Sequence, residues 1–193
     1  FYNSSLSDFK KITGSSHGKI KTGIIQPNIN PWLKWGGKQD ELVSGYAEQI
    51  RDLYISNPDI ELIILPETAL PYFFREKYFE EKFLILKNLC DSIQIPILIG
   101  TPDLEYYENP DEAPVDAKIM RSTGKKYDTY NTAVLFEPEI DKNEYQKHQK
   151  VKLVIGSERM PYQELLPFTK SLIEWGVGHG SWQIGQDTNN FTL

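Results

Sequence analysis

Apolar residues along the 193-residue chain recur at two alternating spacings, one of strands and one of helices. Lys19 to Gln26 reads as a strand that Pro27 ends, and Asn28 to Lys38 as a loop with two tryptophans. Leu42, Val43, Tyr46, Ala47, Ile50, Leu53 and Tyr54 then recur at three and four, which predicts one buried face of a helix. After the turn Asn57-Pro58-Asp59, the short apolar run Ile60 to Leu65 predicts a buried strand. A second helix is expected from about Arg75 to Ile93, with Phe79, Phe83, Leu86, Cys90 and Ile93 on its inner face. The strand Ile95 to Gly100 follows, and then Pro102 to Lys126, a polar stretch with Pro110, Pro114 and Gly124 that reads as a long surface loop. Strands are expected at Tyr130 to Phe136 and Tyr145 to Val154, and a short helix near Pro167 to Trp175. A glycine-rich run covers Gly176 to Gly185. Strands alternating with helices and then pairing with one another predict an α/β layered domain.

Residues 1–18 are different: serines with Gly14 and Gly18 and few apolar residues, the composition of a linker. The domain is expected over residues 19–193. The chain opens on Phe1 and closes on the strand-like Asn190-Phe191-Thr192-Leu193, so it reads as a piece of a longer protein.

Composition removes several classes. Hydrophobic residues make up 39% and charged residues 25%, which suits a globular core and excludes collagen-like or wholly disordered chains. Lys plus Arg number 21 against 27 Asp plus Glu, a net charge of −6 without a basic face, so no nucleic-acid partner is expected. The cluster Lys142, Lys147, Lys150 and Lys152 is the local exception. Apolar runs such as Leu62 to Leu65 fall far short of the roughly 20 residues that cross a bilayer. Cys90 is the single cysteine, which rules out an internal disulfide, and His17, His148 and His179 lack metal-ligand spacing. No metal site is expected.

Three residues carry candidate chemistry. Glu67 follows the buried strand in Leu65-Pro66-Glu67-Thr68-Ala69-Leu70-Pro71, at the carboxyl end of a strand, where open α/β sheets bind ligands. It suits a general base, or equally an acid at a helix N-terminus. Lys150 sits in an alternating segment where Lys150 and Lys152 share one face and Val151 and Leu153 the other. It suits an oxyanion partner, or a solvated outer face. Glu158 is a second carboxylate just beyond. A nucleophile is missing, because Cys90 lies on the apolar stripe of a helix.

These residues stand in the order of the nitrilase superfamily: Glu67 in its Pro-Glu-Thr-Ala-Leu-Pro string, then Tyr130-Asn131-Thr132-Ala133, then Lys150 to Glu158. Gln26-Pro27-Asn28-Ile29, Lys34-Trp35 and Met160-Pro161-Tyr162 make the chain resemble, within it, the periplasmic domain of the apolipoprotein N-acyltransferases. The resemblance runs from about Ile20 to Leu193. It implies a nitrilase-like α-β-β-α sandwich, incomplete at the C-terminus, standing on membrane helices that precede residues 1–18. It implies Glu67 as general base, Lys150 as oxyanion partner (Lys147 and Lys152 being the other registers) and Glu158 as a supporting carboxylate. The family cysteine is expected beyond Leu193, which would leave this piece inactive alone. The partners implied are a phospholipid acyl donor and a diacylglyceryl lipoprotein acceptor, at the bacterial inner membrane with the domain facing the periplasm and no cofactor. Trp35, Tyr72 and Phe73 are candidate lipid or substrate contacts, or plain core packing. Two other functions fit the same residues: a soluble amidase or carbamoylase with the same triad, and a non-catalytic binding module on the same fold.

Overall fold

A computed structural model describes residues 18–29, 39–74, 76–141, 144–155, 158–159, 182–186 and 190–193. The expected linker, the tryptophan loop with Trp35 and the helix near 167–175 lie outside the described residues. The elements are β1 (Thr22–Ile24), α1 (Gln39–Ser56), β2 (Leu62–Ile64), α2 (Glu80–Ile93), β3 (Ile97–Tyr106), β4 (Lys118–Ile119), β5 (Lys126–Phe136) and β6 (Gln146–Gln149).

One six-stranded sheet runs β1-β2-β3-β5, and β5 carries β4 and β6 on different stretches of its far edge. The first three strands are parallel and joined through the two helices, as crossover connections require. The β3–β5 and β5–β6 pairings are antiparallel. Both helices cover one face. Val43, Tyr46, Ala47 and Ile50 of α1 and Phe83, Leu86, Leu89 and Cys90 of α2 close over Ile63, Ile97, Ile99, Val134 and Phe136. Each of the Val, Leu, Ile and Phe side chains, once buried, contributes on the order of 1.5–3 kcal/mol of transfer free energy. The architecture is α/β, with the described residues supplying one sheet and one helical layer.

Several boundaries differ from expectation. The stretch from Pro102 is not loop throughout: β3 runs on to Tyr106 and β5 starts at Lys126, so a two-stranded ribbon extends past the sheet. Pro102 is tolerated because it faces Asn131 at a pair whose backbone groups point away from each other. The Pro102 carbonyl instead accepts Phe74 N at 2.8 Å, and the Asn131 carbonyl accepts Lys150 N at 2.8 Å.

The last expected strand is also shorter. It ends at Gln149, and the chain bends at Val151 and Lys152. The bend is fixed from outside: Lys150 O accepts Gly185 N at 3.0 Å, and Val154 N donates to the Glu158 carboxylate at 2.6 Å. The two-residue alternation therefore fails there, and Val151 is exposed rather than packed.

Candidate active site

The site lies on the sheet face turned away from the helices. Gly100, Asn131 and Ala133 point to that face, since Ile99, Thr132 and Val134 point to the other. The loop after β2 crosses directly over β3 at Gly100. A Cβ there would stand 2.6 Å from Pro66 O and 2.7 Å from Glu67 Cα, so only glycine lets the loop lie this low. Leu65 N and Leu70 N bond the Leu98 and Gly100 carbonyls at 2.9 and 3.3 Å, which pins the loop on both sides of Glu67. Thr68, the next residue, has φ of 47°, an uncommon conformation for a β-branched side chain. Buried Ala69, Leu70 and Tyr72 anchor the loop's far end in the core and hold that conformation.

Lys150 projects from the end of β6 between two carboxylates. Its Nζ donates to Glu67 Oε1 and to Glu158 Oε1, each at 2.9 Å. The Asn131 side-chain amide, one strand over, donates to the same two oxygens, to Glu158 at 3.2 Å and also to Glu67. With two carboxylates as neighbours the amide must present its NH2 end. The result is a ring of two donors and two acceptors. The second oxygen of Glu158 takes Val154 N at 2.6 Å, which closes the ring onto the backbone.

Exposure differs sharply within the ring. The Glu67 side chain is 58% exposed, Lys150 30% and Glu158 14%. Burial pulls the Lys150 ammonium down, but the bonds to Glu67 and Glu158 outweigh it and hold its pKa above the ordinary lysine value. Burial likewise pushes Glu158 up, while Val154 N, Lys150 and Asn131 together bring it below the usual carboxylate range. Glu158 is thus a fixed anion, Lys150 a fixed cation, and Glu67 the carboxylate open to a reactant.

Beside the ring lies a cleft of about 550 Å³. Leu65, Leu98 and Ala133 give it an apolar floor, and Lys150 and Lys152, with the His148 imidazole beside them, line its rim. Among the described residues no group of His, Cys, Asp and Glu is arranged to hold a metal ion.

The remaining candidates fall elsewhere. Lys147, one of the other registers, points away and pairs with Asp103 at 3.2 Å and with Glu105. Tyr72 is only 2% exposed and its ring packs 5.0 Å from that of Phe79, while Phe73 is half-buried. Trp35 lies outside the described residues. Cys90 is wholly buried, its thiol pushed up to about 12, burial being the main cause. Asn131 belongs to the Tyr130-Asn131-Thr132-Ala133 motif, which assigns it no role; a buried amide mid-strand between aromatic and β-branched residues is the signal that a polar partner must be near.

The mixed α/β sheet carries this acid–base cluster on one face, and residues 21–185 match the family model of the carbon-nitrogen hydrolases. The chain belongs to the carbon-nitrogen hydrolase family, the nitrilase superfamily. More narrowly, it is similar to the apolipoprotein N-acyltransferase of Chlorobaculum tepidum, 29% identical over 169 residues, which are 88% of this chain and 31% of that protein. It is also similar to apolipoprotein N-acyltransferase 1 of Treponema denticola, 31% identical over 94% of this chain and 34% of that protein. The chain thus spans about a third of the length of the curated relatives it matches. Among solved structures, a carbon-nitrogen hydrolase from Helicobacter pylori G27 aligns with 71% of this chain and 41% of its own, at 15% identity and a TM-score of 0.47. Membership of the family rests on the sequence match.

Proposed function

We propose that this domain carries the acid–base groups of an N-acyltransferase, moving an acyl chain from a phospholipid to the N-terminal amine of a diacylglyceryl lipoprotein. The observation that carries the reading is the Lys150 ammonium held at 2.9 Å from both Glu67 and Glu158. The nucleophile in this reading is a cysteine thiol from outside these 193 residues, since Cys90 is buried and its thiol is held protonated up to about 12. Residues 1–18 would link the domain to a membrane region and residues 19–193 would form part of the catalytic domain, facing the periplasm from the inner membrane. Among the described residues no helix is long and apolar enough to cross a membrane.

The steps follow from the charges. Glu67 takes the thiol proton, and the thiolate attacks the ester carbonyl of the phospholipid. The carbonyl oxygen becomes an oxyanion against Lys150 Nζ. The C–O bond breaks, the lysophospholipid oxygen takes the proton back from Glu67, and a thioester remains. The lipoprotein amine then attacks the thioester and gives a proton to Glu67. The amide forms, and the thiolate leaves and recovers that proton. Glu158 and Asn131 fix the lysine throughout. The apolar cleft floor suits an acyl chain, and Trp35 and Phe73 are kept as candidate contacts. The family's hydrolytic chemistry is a second reading, in which water replaces the amine and the substrate is an amide.

The test uses the full-length parent protein with phospholipid carrying a labelled acyl chain and a diacylglyceryl peptide. Label should appear on the peptide amine, and Glu67→Gln should abolish transfer because an amide accepts no thiol proton. Lys150→Ala should cost about 10²–10³ in rate, as loss of one oxyanion donor does. Release of free fatty acid alone, with no labelled peptide, would favour the hydrolytic reading. Acyl adduct on Cys90 would overturn both.

A further inference from the structure

Beyond the ring, the residue after Glu158 makes a second set of contacts that ring chemistry does not need. Arg159 makes its contacts with two other segments. Its guanidinium lies 3.4 Å from Asp116 Oδ2, donates to Trp182 O at 3.2 Å and donates to the Gln183 side-chain oxygen. The Gln183 amide continues the chain, donating to Asp116 Oδ2 at 3.4 Å and to Asp128 Oδ1 at 3.2 Å. Tyr107 OH donates to the other oxygen of Asp128 at 2.5 Å. Backbone bonds run in parallel: Trp182 N donates to Glu158 O at 3.1 Å, and Gln183 N to Thr129 O at 2.8 Å.

The charges require this arrangement. The Asp116 and Asp128 side chains are both buried, and Asp128 is pushed above the usual carboxylate range, first by its burial and also by the charge of Asp116. Two buried carboxylates that feel one another need a compensating cation and donors. Arg159 pairs with Asp116, and the Gln183 amide bridges Asp116 to Asp128. The long excursion between β3 and β5, through Asp116, is thereby tied to β5 and to the backbone of Glu158.

We propose that Arg159 is a positioning residue: its latch onto Asp116 and Gln183 fixes the backbone of Glu158, and through it the orientation of Lys150. The inference rests on the reading of Lys150 and Glu158 as working groups of the site. Among the described residues, the charged groups facing Lys150 are Glu67 and Glu158, with Lys152 and the His148 imidazole on the cleft rim. Arg159 is not among them, so its effect on Lys150 runs through the segments it holds: Glu158, whose carboxylate bonds Lys150 Nζ, and the 182–186 segment, whose Gly185 N bonds Lys150 O at 3.0 Å.

The test follows the titration of Lys150 by NMR in the 193-residue chain labelled with 13C at lysine Cε, the signal assigned by its loss in Lys150→Arg. Arg159→Ala should move the titration down toward that of an ordinary lysine, and Arg159→Lys should recover part of the shift. Should Arg159→Ala fail to fold, Asp116→Asn, which keeps shape and removes the latch charge, should move Lys150 the same way by less. A folded Arg159→Ala or Asp116→Asn variant with Lys150 unmoved would overturn the proposal. Glu158→Gln separates the two readings. If it shifts Lys150 while the latch variants do not, only the latch fails. If it leaves Lys150 unmoved as well, the ring itself is wrong. A shift on loss of Arg159 without one in Glu158→Gln would also overturn the proposal, because the effect would then bypass Glu158.

Discussion

Lys150 and Glu158 couple the site to the stability of the fold, and the signs of their shifts define a pH window. Glu158 sits below its ordinary value of 4.5 when folded, so its contribution is present above that value and lost as pH falls through the folded pKa. Lys150 sits above its ordinary value of 10.5, so its contribution is full below that value and lost as pH rises through the folded pKa. The ion pair therefore stabilises between these limits and fades at both ends. Glu158→Gln should lower stability at pH 7 by about 1–3 kcal/mol, the range for a charge-assisted bond left with one partner. The same variant should lose less stability than wild type on acidification. Urea unfolding at pH 7 and pH 3 measures both, and an acid dependence as steep as that of wild type would count against the assignment.

Among the elements, the crossing of the Glu67 loop over β3 is the most exacting. Gly100→Ala would drive a methyl into the backbone of Pro66 to Thr68, with the nearest atom at 2.6 Å. Backbone cannot swing aside as a side-chain tip can, so the variant should lose about 1–3 kcal/mol and shift the loop that carries Glu67. Gly45 within α1 offers the contrast. Nothing lies within 4 Å of a Cβ built there, so Gly45→Ala should raise stability by about 0.5–1 kcal/mol. Denaturant midpoints of the two variants should move in opposite directions.

The same elements show what the amino-acid order reveals. Spacing alone predicted the buried faces of α1 and α2, because Val43, Tyr46, Ala47 and Ile50 or Phe83, Leu86 and Cys90 answer to one physical demand, a shared apolar wall. The β3–β5 ribbon escaped, because Asp103, Glu105, Asp128 and Tyr130 are polar and Pro102 interrupts them. Those residues are satisfied by one another and by Lys147, Tyr107 and Gln183, partners distant in sequence. Glu67, Lys150 and Glu158 were visible as residue types at strand ends. Their meeting was not, since it depends on the bend after Gln149 and on the close approach at Gly100.

For the molecule as a whole, Cys90 reports on integrity. On the inner face of α2, its Sγ lies 3.2 Å from Ile95 O and 3.4 Å from Phe136 O. A thiol reagent should reach it only when the core opens, so the labelling rate should track the global unfolding equilibrium. Fast labelling in native buffer would mean that α2 detaches from the sheet independently.

The amide of Asn131, finally, places one N–H toward Glu67 and one toward Glu158. Its two geminal protons therefore form a built-in pair of spectroscopic gauges, each sensing a different carboxylate. As Glu158 takes a proton, the resonance facing it should move while its sibling lags. The Asn131 amide, followed in 15N-labelled protein, thus reads the state of that buried carboxylate without any substrate.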